Sequence, residues 1–361
     1  MAGNTIGKML RLTSFGESHG SMIGGVLDGF PSGLNIDIQK IQDALNRRSP
    51  GQSTFGSPRK EPDVIEVVSG IYDNMSTGAP IAFLIKNVNQ KSSDYDHLKD
   101  VYRPSHAAFT YDKKYSNTDH RGGGRSSARE TAVRVAAGAF CQQLLALYNI
   151  SIMGYVSQIG TVSLNMSYNN LDLNSVDNYS LRCPDAETNR QMELYLDEIK
   201  AESDSSGGIV SCVISGLPAG VGEPVYDRFQ SVLGAAMLSI NAVKGFDYGM
   251  GFQSASMKGS EHNDAFERRD GMISPASNNA GGLLGGITTG EDIYFRVAFK
   301  PVSSIGKMQQ TVDKEGNPAE LVIGGRHDVC IVPRAVPVVE AMAALTAADL
   351  MIMAGMIHTN I

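Results

Sequence analysis

The sequence predicts an α+β fold in which sheets and helices form separate layers. Apolar runs typical of strands follow one another along the chain, in places without a helix between them. These runs cover residues 64–68, 80–85, 208–214 and 293–299. Two Ala-rich helices, predicted over residues 127–148 and 335–356, are apolar over much of their surface, which is typical of buried, central helices. This combination favours a layered α+β fold over a regular doubly wound sheet.

Two segments of the chain resemble each other and indicate an internal duplication. Residues 26–34 and 213–221 both read as an apolar strand followed by a turn of the form G-[FL]-P-[SA]-G. Proline presets φ in such a turn, and glycine takes the permissive positions. A helix is predicted after each turn, over residues 36–45 and 225–240, and Tyr226 or Asp227 begins the second one. The alternative is that two ordinary strand–turn–helix units share glycine and proline by chance.

The composition is typical of a globular chain with a large core. Of the 361 residues, 42% are hydrophobic, which predicts one large domain or two rather than a disordered chain. The formal net charge is −7, which argues against a protein that coats nucleic acid or an anionic membrane. The four cysteines are far apart in sequence, so we expect neither a disulfide framework nor a zinc or other metal site.

Two further features predict a cytoplasmic location. The N-terminus lacks the basic and apolar regions of a secretory signal. The apolar stretch 336–357 contains a proline and two carboxylates, which favours a buried helix over a membrane span.

The densest chemical feature is the segment from His120 to Thr131, which reads HRGGGRSSARET. Three arginines fall within nine residues at the start of a long predicted helix. Backbone N–H groups, the positive end of the helix dipole and guanidinium groups then meet, which predicts a site for phosphate or carboxylate. The alternatives are a loop with solvated arginines and an RGG-type RNA-binding segment; the acidic net charge counts against the second.

Other arginines lie beside turns rich in glycine, serine or proline, and together they indicate a ligand with several anionic groups. They are Arg47, Arg48, Arg103 and Arg326. Segments 278–286 and 300–304 would let the backbone approach a flat ligand and would add a lysine and hydroxyl groups. That combination suits a flat, phosphorylated cofactor, although the residue types do not name one.

Two histidines and one carboxylate are candidates for proton transfer. His19 in G-E-S-H-G and His106 in R-P-S-H lie in turns of small residues. A histidine beside a bound phosphate is held protonated and can act as a general acid, whereas the alternative for each is a structural hydrogen bond. Asp328 follows Arg326 and His327, and it is either a catalytic base or the partner of an arginine.

These motifs, in this order, resemble the chorismate synthase family. The resemblance rests on G-E-S-H-G at 16–20, R-G-G-G-R-S-S-A-R-E-T at 121–131 and R-H-D at 326–328, with matching segments at 241–245, 281–286 and 300–304. It covers nearly the whole chain and implies a single domain over residues 1–361, with pseudo-repeated halves at about 1–150 and 205–361. The implied fold is a layered β-α-β sandwich with central helices between antiparallel sheets and an internal pseudo-twofold duplication.

The resemblance also implies an activity. The family comprises lyases of the shikimate pathway, which leads to the aromatic amino acids. They eliminate phosphate from 5-enolpyruvylshikimate 3-phosphate in an anti-1,4 sense to give chorismate. The implied cofactor is reduced FMN, used without net redox change, and the implied assembly is a homotetramer.

The resemblance assigns roles to individual residues. It implies that His19 protonates the leaving phosphate, that His106 manages charge at the flavin, and that Asp328 assists proton removal. The implied FMN contacts are Arg125, Ser126, Ser127, Asn241, Ala242, Gly285, Lys300, Pro301, Val302, Ser303, Ser304 and Arg326. The implied contacts to the anionic groups of the substrate are Arg48, Arg103 and Arg129, and Arg48 also matches a position that contacts NADP in the family.

One departure from the family pattern concerns the reductant. Many members have an arginine where Thr54 stands here, which argues against an NADPH contact through this loop. The chain has no large insertion, so we expect a monofunctional enzyme that depends on a separate flavin reductant rather than on NADPH. The runner-up interpretation is a flavin reductase or another FMN oxidoreductase, which the lack of a nucleotide-binding fingerprint disfavours.

Overall fold

The computed structural model describes residues 3–52, 54–56, 62–88, 99–115, 123–269, 271–323 and 328–358. Within these ranges the chain forms seven α-helices and eighteen β-strands. The helices are α1 Ile38–Arg48, α2 Ala108–Lys114, α3 Thr131–Ala146, α4 Ala186–Ala201, α5 Phe229–Leu238, α6 Gly259–His262 and α7 Val332–Met353. The strands are β1 Thr5–Ile6, β2 Arg11–Gly16, β3 Met22–Asp28, β4 Ile65–Ser69, β5 Ile71–Tyr72, β6 Met75–Ser76, β7 Ile81–Lys86, β8 Ser151–Ile159, β9 Val162–Ser163, β10 Gly208–Ser215, β11 Val243–Tyr248, β12 Phe266–Arg269, β13 Met272–Pro275, β14 Leu283–Leu284, β15 Ile287–Thr288, β16 Ile293–Phe299, β17 Gln309–Val312 and β18 Pro318–Leu321.

Two five-stranded antiparallel sheets dominate the described part of the chain. The first has the strand order β1-β2-β3-β7-β4 and the second the order β11-β16-β10-β8-β9. Burial alternates along β16, where Ile293, Phe295, Val297 and Phe299 are buried and the residues between them are partly exposed. This period of two shows that the sheet buries one face. Antiparallel sheets together with separate helices confirm the predicted α+β class.

The helices α3 and α7 form the centre of the core. Gly138 of α3 lies so close to α7 that a Cβ added there would be 2.3 Å from the Cβ of Ala341. A larger residue at either position would force the two helices apart, so this contact depends on small side chains. Helix α3 also lies against β2 and β3 of the first sheet, and α7 lies against β8 and β10 of the second.

Helix α7 is the buried apolar helix that the sequence predicts. It is long and apolar enough to cross a membrane, but 94% of its most apolar stretch is buried inside the protein. The helix buries two carboxylates, Glu340 and Asp349, each of which has partners from distant parts of the chain. The apolar stretch is therefore explained by the core.

The two sequence repeats occupy equivalent places in the two sheets. The principal elements follow the order β2-β3-α1-β4-β7-α3 in the first half and β8-β10-α5-β11-β16-α7 in the second. Gly29 and Gly216, the first glycines of the two turns, have φ values of 85° and 84°. A Cβ there would lie 2.0 Å from the carbonyl oxygen of Met9 and 2.4 Å from that of Asn149, so both turns require glycine for the same reason.

Three helices begin later than the sequence predicts, and the first is α1, which begins at Ile38 rather than at residue 36 because Asp37 caps it. Helix α5 begins at Phe229 rather than at Tyr226 or Asp227, because Asp227 pairs with Lys8 and does not cap the helix. Helix α3 begins at Thr131 rather than at Ser127, because the residues before it form 3-10 turns.

Candidate active site

The glycine- and arginine-rich segment forms two consecutive 3-10 turns, Gly124–Ser126 and Ala128–Glu130, that lead into α3. Ser127 caps the second turn by accepting a hydrogen bond from the backbone N–H of Arg129 at 3.3 Å. His120, Arg121 and Gly122 lie outside the described residues. Arg125 donates to the carbonyl of Gly16 and to Ser14, whereas Arg129 donates to Asp63 and Asn87.

Arg48 and Arg129 share the carboxylate of Asp63, and we call these three residues the Asp63 cluster. Arg48 Nη1 donates to Asp63 Oδ2 at 2.7 Å, and Arg129 Nη1 donates to Asp63 Oδ1. The exposed fractions of the side chains are 3% for Arg48, 8% for Arg129 and 0% for Asp63. Arg48 also donates to Thr131 Oγ1 at 3.1 Å and to the carbonyl of Ala128 at 3.2 Å. The cluster therefore joins the end of α1 to the start of α3.

Asn87 ties the turn that carries His19 to the Asp63 cluster. Arg129 Nε donates to Asn87 Oδ1 at 2.8 Å, and Asn87 Nδ2 donates to the carbonyls of Glu17 and Gly20 at 3.0 and 2.9 Å. His19 itself is buried. A candidate general acid and a candidate substrate-binding arginine are thus positioned by one shared side chain.

Asp328 lies close to the same cluster and is paired with an arginine. Arg334 Nη1 donates to both carboxylate oxygens of Asp328, at 3.0 and 2.8 Å, and Arg334 Nε donates to the carbonyl of Arg48 at 3.4 Å. The attraction within this pair offsets part of the solvation that the partly buried carboxylate loses. It also holds Asp328 beside the residues assigned to the substrate.

The described residues that the resemblance assigns to FMN lie mostly at one end of the second sheet. Asn241 Nδ2 donates to the carbonyl of Ser126 at 2.7 Å. The N–H of Lys300 donates to the carbonyl of Ala242 at 2.9 Å, because β11 and β16 are paired strands. Pro301, Val302, Ser303 and Ser304 continue directly from Lys300. The 3-10 turns and this end of the sheet therefore form one connected region.

A cavity of about 410 Å³ borders this region. Arg125, Ser126 and Asn241 line it together with Ser14 and Glu130. Arg125 Nη2 donates to Ser14 Oγ at 2.7 Å, and Ser14 Oγ donates to Glu130 Oε1 at 2.8 Å, which fixes the guanidinium group at the cavity wall. The Oδ1 atom of Asn241 is buried and has no hydrogen-bond partner among the described residues. An acceptor in that state fits a ligand with N–H or O–H groups, as a flavin with its ribityl chain has.

His106 lies against the start of the 3-10 turns, and its surroundings disfavour a positive charge. Its Nδ1 accepts a hydrogen bond from the N–H of Ala108 at 3.1 Å, so the neutral ring carries its proton on Nε2. Burial, with the positive charges of Arg103 and Lys300, lowers the pKa of His106 from 6.5 to about 3. The ring is therefore neutral at pH 7 without ligand. The same positive charges favour a bound anion, which in turn would raise the pKa.

Of the residues predicted for the site, Gly285 lies away from these regions. Gly285 lines a separate depression with Phe246, Tyr248 and Phe252. Arg326 lies outside the described residues. Thr54 is exposed, and its carbonyl accepts a hydrogen bond from Lys200 Nζ at 3.4 Å.

Sequence reasoning missed four residues that hold the site together: Asp63, Asn87, Glu130 and Arg334. Asp63 stands just before the apolar run 64–68, and Asn87 directly follows β7. Polar residues at the ends of apolar strands are a usable signal, because strand ends are where side chains reach a site on the rim of a sheet. Glu130 and Arg334 lie in or before long helices, where no local pattern distinguishes them from solvated charges.

Comparison with known proteins gives one consistent result. The sequence model of the chorismate synthase family matches residues 10–352. The chorismate synthases of Christiangramia forsetii and Porphyromonas gingivalis are both 55% identical to this chain, over 97% and 96% of it and 97% and 95% of their own lengths. A crystal structure of chorismate synthase superposes with a TM-score of 0.76 at 29% identity, over 96% of this chain and 92% of that one. The chain therefore belongs to the chorismate synthase family, enzymes that act as lyases in the shikimate pathway.

Proposed function

We propose that the chain converts 5-enolpyruvylshikimate 3-phosphate to chorismate and phosphate by anti-1,4-elimination. The observation that carries this proposal is the Asp63 cluster, in which two buried arginines lie between the turn of His19 and the Asp328–Arg334 pair. The substrate has one phosphate and two carboxylates, and guanidinium groups bind such groups through paired N–H donors. Because the cluster is buried, each charge acts in a medium of lower dielectric than water and stabilises the departing phosphate more strongly.

Different residues of the chain bind the substrate, donate a proton to the leaving group and assist removal of the ring proton. Arg48, Arg103 and Arg129 bind the anionic groups of the substrate, and Arg103 is buried like the other two. His19 donates a proton to the leaving phosphate. Asp328 assists removal of the ring proton, and its pair with Arg334 keeps the carboxylate oriented during that step.

The cofactor that this chemistry needs is reduced FMN. When bound, a reduced flavin lends electron density to the allylic system of the substrate, which protein side chains cannot do. Arg125, Ser126, Ser127, Asn241, Ala242 and Lys300 to Ser304 would hold it, and the unpartnered Oδ1 of Asn241 supports that assignment. Gly285 and Arg326 are proposed as further contacts. His106, whose ring is neutral without a ligand, is proposed to stabilise the charge of the bound flavin.

We further propose a monofunctional enzyme that receives reduced flavin from a separate reductant in the cytoplasm. Thr54 offers no guanidinium group to NADPH, which supports this choice. We also propose a homotetramer of single-domain chains, because large apolar side chains such as Tyr226, Phe252 and Ile273 are 88%, 84% and 79% exposed. The matching order of elements in the two halves supports a sandwich with an internal pseudo-twofold duplication.

The decisive experiment is anaerobic. The protein is mixed with chemically reduced FMN and 5-enolpyruvylshikimate 3-phosphate, and phosphate release and chorismate absorbance are followed together. We expect equal amounts of both products, with none when the FMN is oxidised. A folded, FMN-binding protein that releases no phosphate would contradict the proposed function, and NAD(P)H oxidation without substrate would favour a flavin reductase.

A further inference from the structure

Asp63 is unusual because it places a negative charge inside a proposed anion-binding site. Its carboxylate is fully buried between Arg48 and Arg129. If the site only needed positive charge, this carboxylate would weaken it, since it offsets one of the two guanidinium charges. Its presence points to a different contribution.

The turn that carries Asp63 is held in place from α1. Asp63 has a φ of 43°, in the left-handed region that few residues other than glycine adopt. Gln42 Nε2 donates to the carbonyls of Pro62 and Asp63, both at 3.3 Å, and Gln42 Oε1 accepts from the N–H of Ile65 at 3.2 Å. One side chain thus fixes the backbone on both sides of Asp63.

The carboxylate itself is also fixed. Ser49 Oγ donates to Asp63 Oδ2 at 3.1 Å, next to the hydrogen bond from Arg48. Each oxygen therefore serves a different arginine while Ser49 fixes the orientation of the group. Two guanidinium groups this close would repel each other without a shared anion, and each would lose one of the contacts that set its plane.

We propose that Asp63 is a positioning residue of the elimination, which holds Arg48 and Arg129 as one rigid pair for the anionic groups of the substrate. This inference rests on the proposed function, because the substrate role of both arginines does. It adds the claim that their geometry, and not only their charge, determines binding.

The test is Asp63→Asn, assayed anaerobically with reduced FMN beside the unmodified enzyme. The substitution keeps the shape of the side chain but removes its charge, so the site becomes more positive. We expect the KM for 5-enolpyruvylshikimate 3-phosphate to rise about tenfold and kcat/KM to fall about 10- to 100-fold, because misplaced binding groups lose most of their effect. A KM that is unchanged or lower would overturn the inference, since that is what a merely charge-balancing or structural Asp63 predicts.

Two further variants separate positioning from stability. Asp349→Asn removes a buried carboxylate that accepts the N–H groups of Lys8, Met9 and Leu10 at 2.9, 2.8 and 2.9 Å, away from both arginines. It should lower Tm while leaving KM within about twofold. Gln42→Ala keeps every charge of the cluster but releases the turn, and it should raise KM about threefold; if Asp63→Asn does not fold, this variant decides, and an unchanged KM overturns the inference.

The same assay distinguishes a failure of the proposed function from a failure of the inference about Asp63. An unmodified enzyme that forms no chorismate contradicts the proposed function, and the inference falls with it. An enzyme that forms chorismate, with an Asp63→Asn variant of unchanged KM, overturns only the inference about Asp63.

Discussion

Two neighbouring arginines at the end of α1 enter two different ion clusters. Arg48 enters the Asp63 cluster, whereas Arg47 pairs with Glu340 of α7 at 2.6 Å and with Asp177 at 2.8 Å. Arg182 also pairs with Asp177, at 3.0 Å, and Glu340 accepts the N–H of Gly154 in β8 at 2.9 Å. We call Arg47, Asp177, Arg182 and Glu340 the Glu340 cluster.

The two clusters differ in the parts of the chain that their ion pairs connect. The Glu340 cluster connects α1 to α7 and to β8, whereas the Asp63 cluster connects α1 to the turns before α3 and, through Asn87, to the turn of His19. Burial alone would lower the pKa of the Arg47 guanidinium, but the Glu340 and Asp177 carboxylates outweigh it and raise the pKa. The Glu340 cluster thus stabilises the fold, while the Asp63 cluster places two arginines beside the candidate site residues. A structural arginine therefore differs from a candidate binding arginine in its partners and not in its residue type.

The largest effects should come from the two candidate proton-transfer histidines, His19 beside the Asp63 cluster and His106 beside the 3-10 turns. His19→Ala and His106→Ala should each lower turnover by roughly 10²- to 10⁴-fold, the range for general acid–base groups. The measurement is anaerobic chorismate formation, with the exposed His358→Ala as a matched control that should not change it. Turnover within about twofold of the unmodified enzyme in both variants would remove these histidines from the mechanism.

Asp328→Asn should lower turnover about 100-fold while FMN and substrate still bind, because the amide cannot accept the proton. Stopped-flow formation of chorismate measures turnover, and equilibrium binding of oxidised FMN measures cofactor binding. A loss of binding with the loss of turnover would instead place Asp328 with the structural partners of arginine, like Asp177.

Glu340→Gln should act on stability alone. It leaves Arg47 without one partner of a partly buried ion pair, which costs about 3 kcal/mol in the free energy of unfolding. Urea denaturation measures this value, and kcat/KM at a temperature where the variant is folded should stay unchanged. Arg190→Ala, which breaks an exposed pair with Glu187, is the control and should alter neither quantity. A changed KM in the Glu340→Gln variant would contradict this prediction, because it would mean that the Glu340 cluster also affects substrate binding.

The smallest expected effect is the uptake of a proton by His106 when an anionic ligand binds. The pKa of His106 lies at about 3 without ligand, below its ordinary value of 6.5, because of burial and the charges of Arg103 and Lys300. A bound anion offsets those charges and raises the pKa, so binding at pH 6 to 7 should consume a fraction of a proton. Calorimetry of oxidised FMN binding in two buffers with different ionisation enthalpies measures this uptake.

His106→Gln is the control for that experiment and should reduce the proton uptake. An identical uptake in the variant and in the unmodified protein would assign the proton to another group.

The fold was largely predictable because its signals are local. The apolar run 293–299 predicts β16, and the repeated G-[FL]-P-[SA]-G turns predict strand–turn–helix units whose first glycines have positive φ. The late start of α5 was not predictable, because Asp227 is a good cap by type but pairs with Lys8, more than two hundred residues away in sequence.

The site was predictable in its residue types but not in its connections. The motifs point to Arg48, Arg129, His19 and Asp328, yet nothing in them shows that Arg48 binds Asp63 while Arg47 binds Glu340. Those pairings follow from the direction in which consecutive side chains leave a helix and from what the tertiary structure brings to each face.

The most direct test of this account compares Arg48→Lys with Arg47→Lys. Both substitutions keep the charge and remove the planar fork, so they differ only in the cluster that they disturb. The measurement is kcat/KM with reduced FMN at a temperature where both variants are folded, together with Tm. The account predicts that Arg48→Lys lowers kcat/KM at least about tenfold, whereas Arg47→Lys lowers Tm and leaves kcat/KM within about twofold. Equal losses of kcat/KM, or a larger loss for Arg47→Lys, would contradict it.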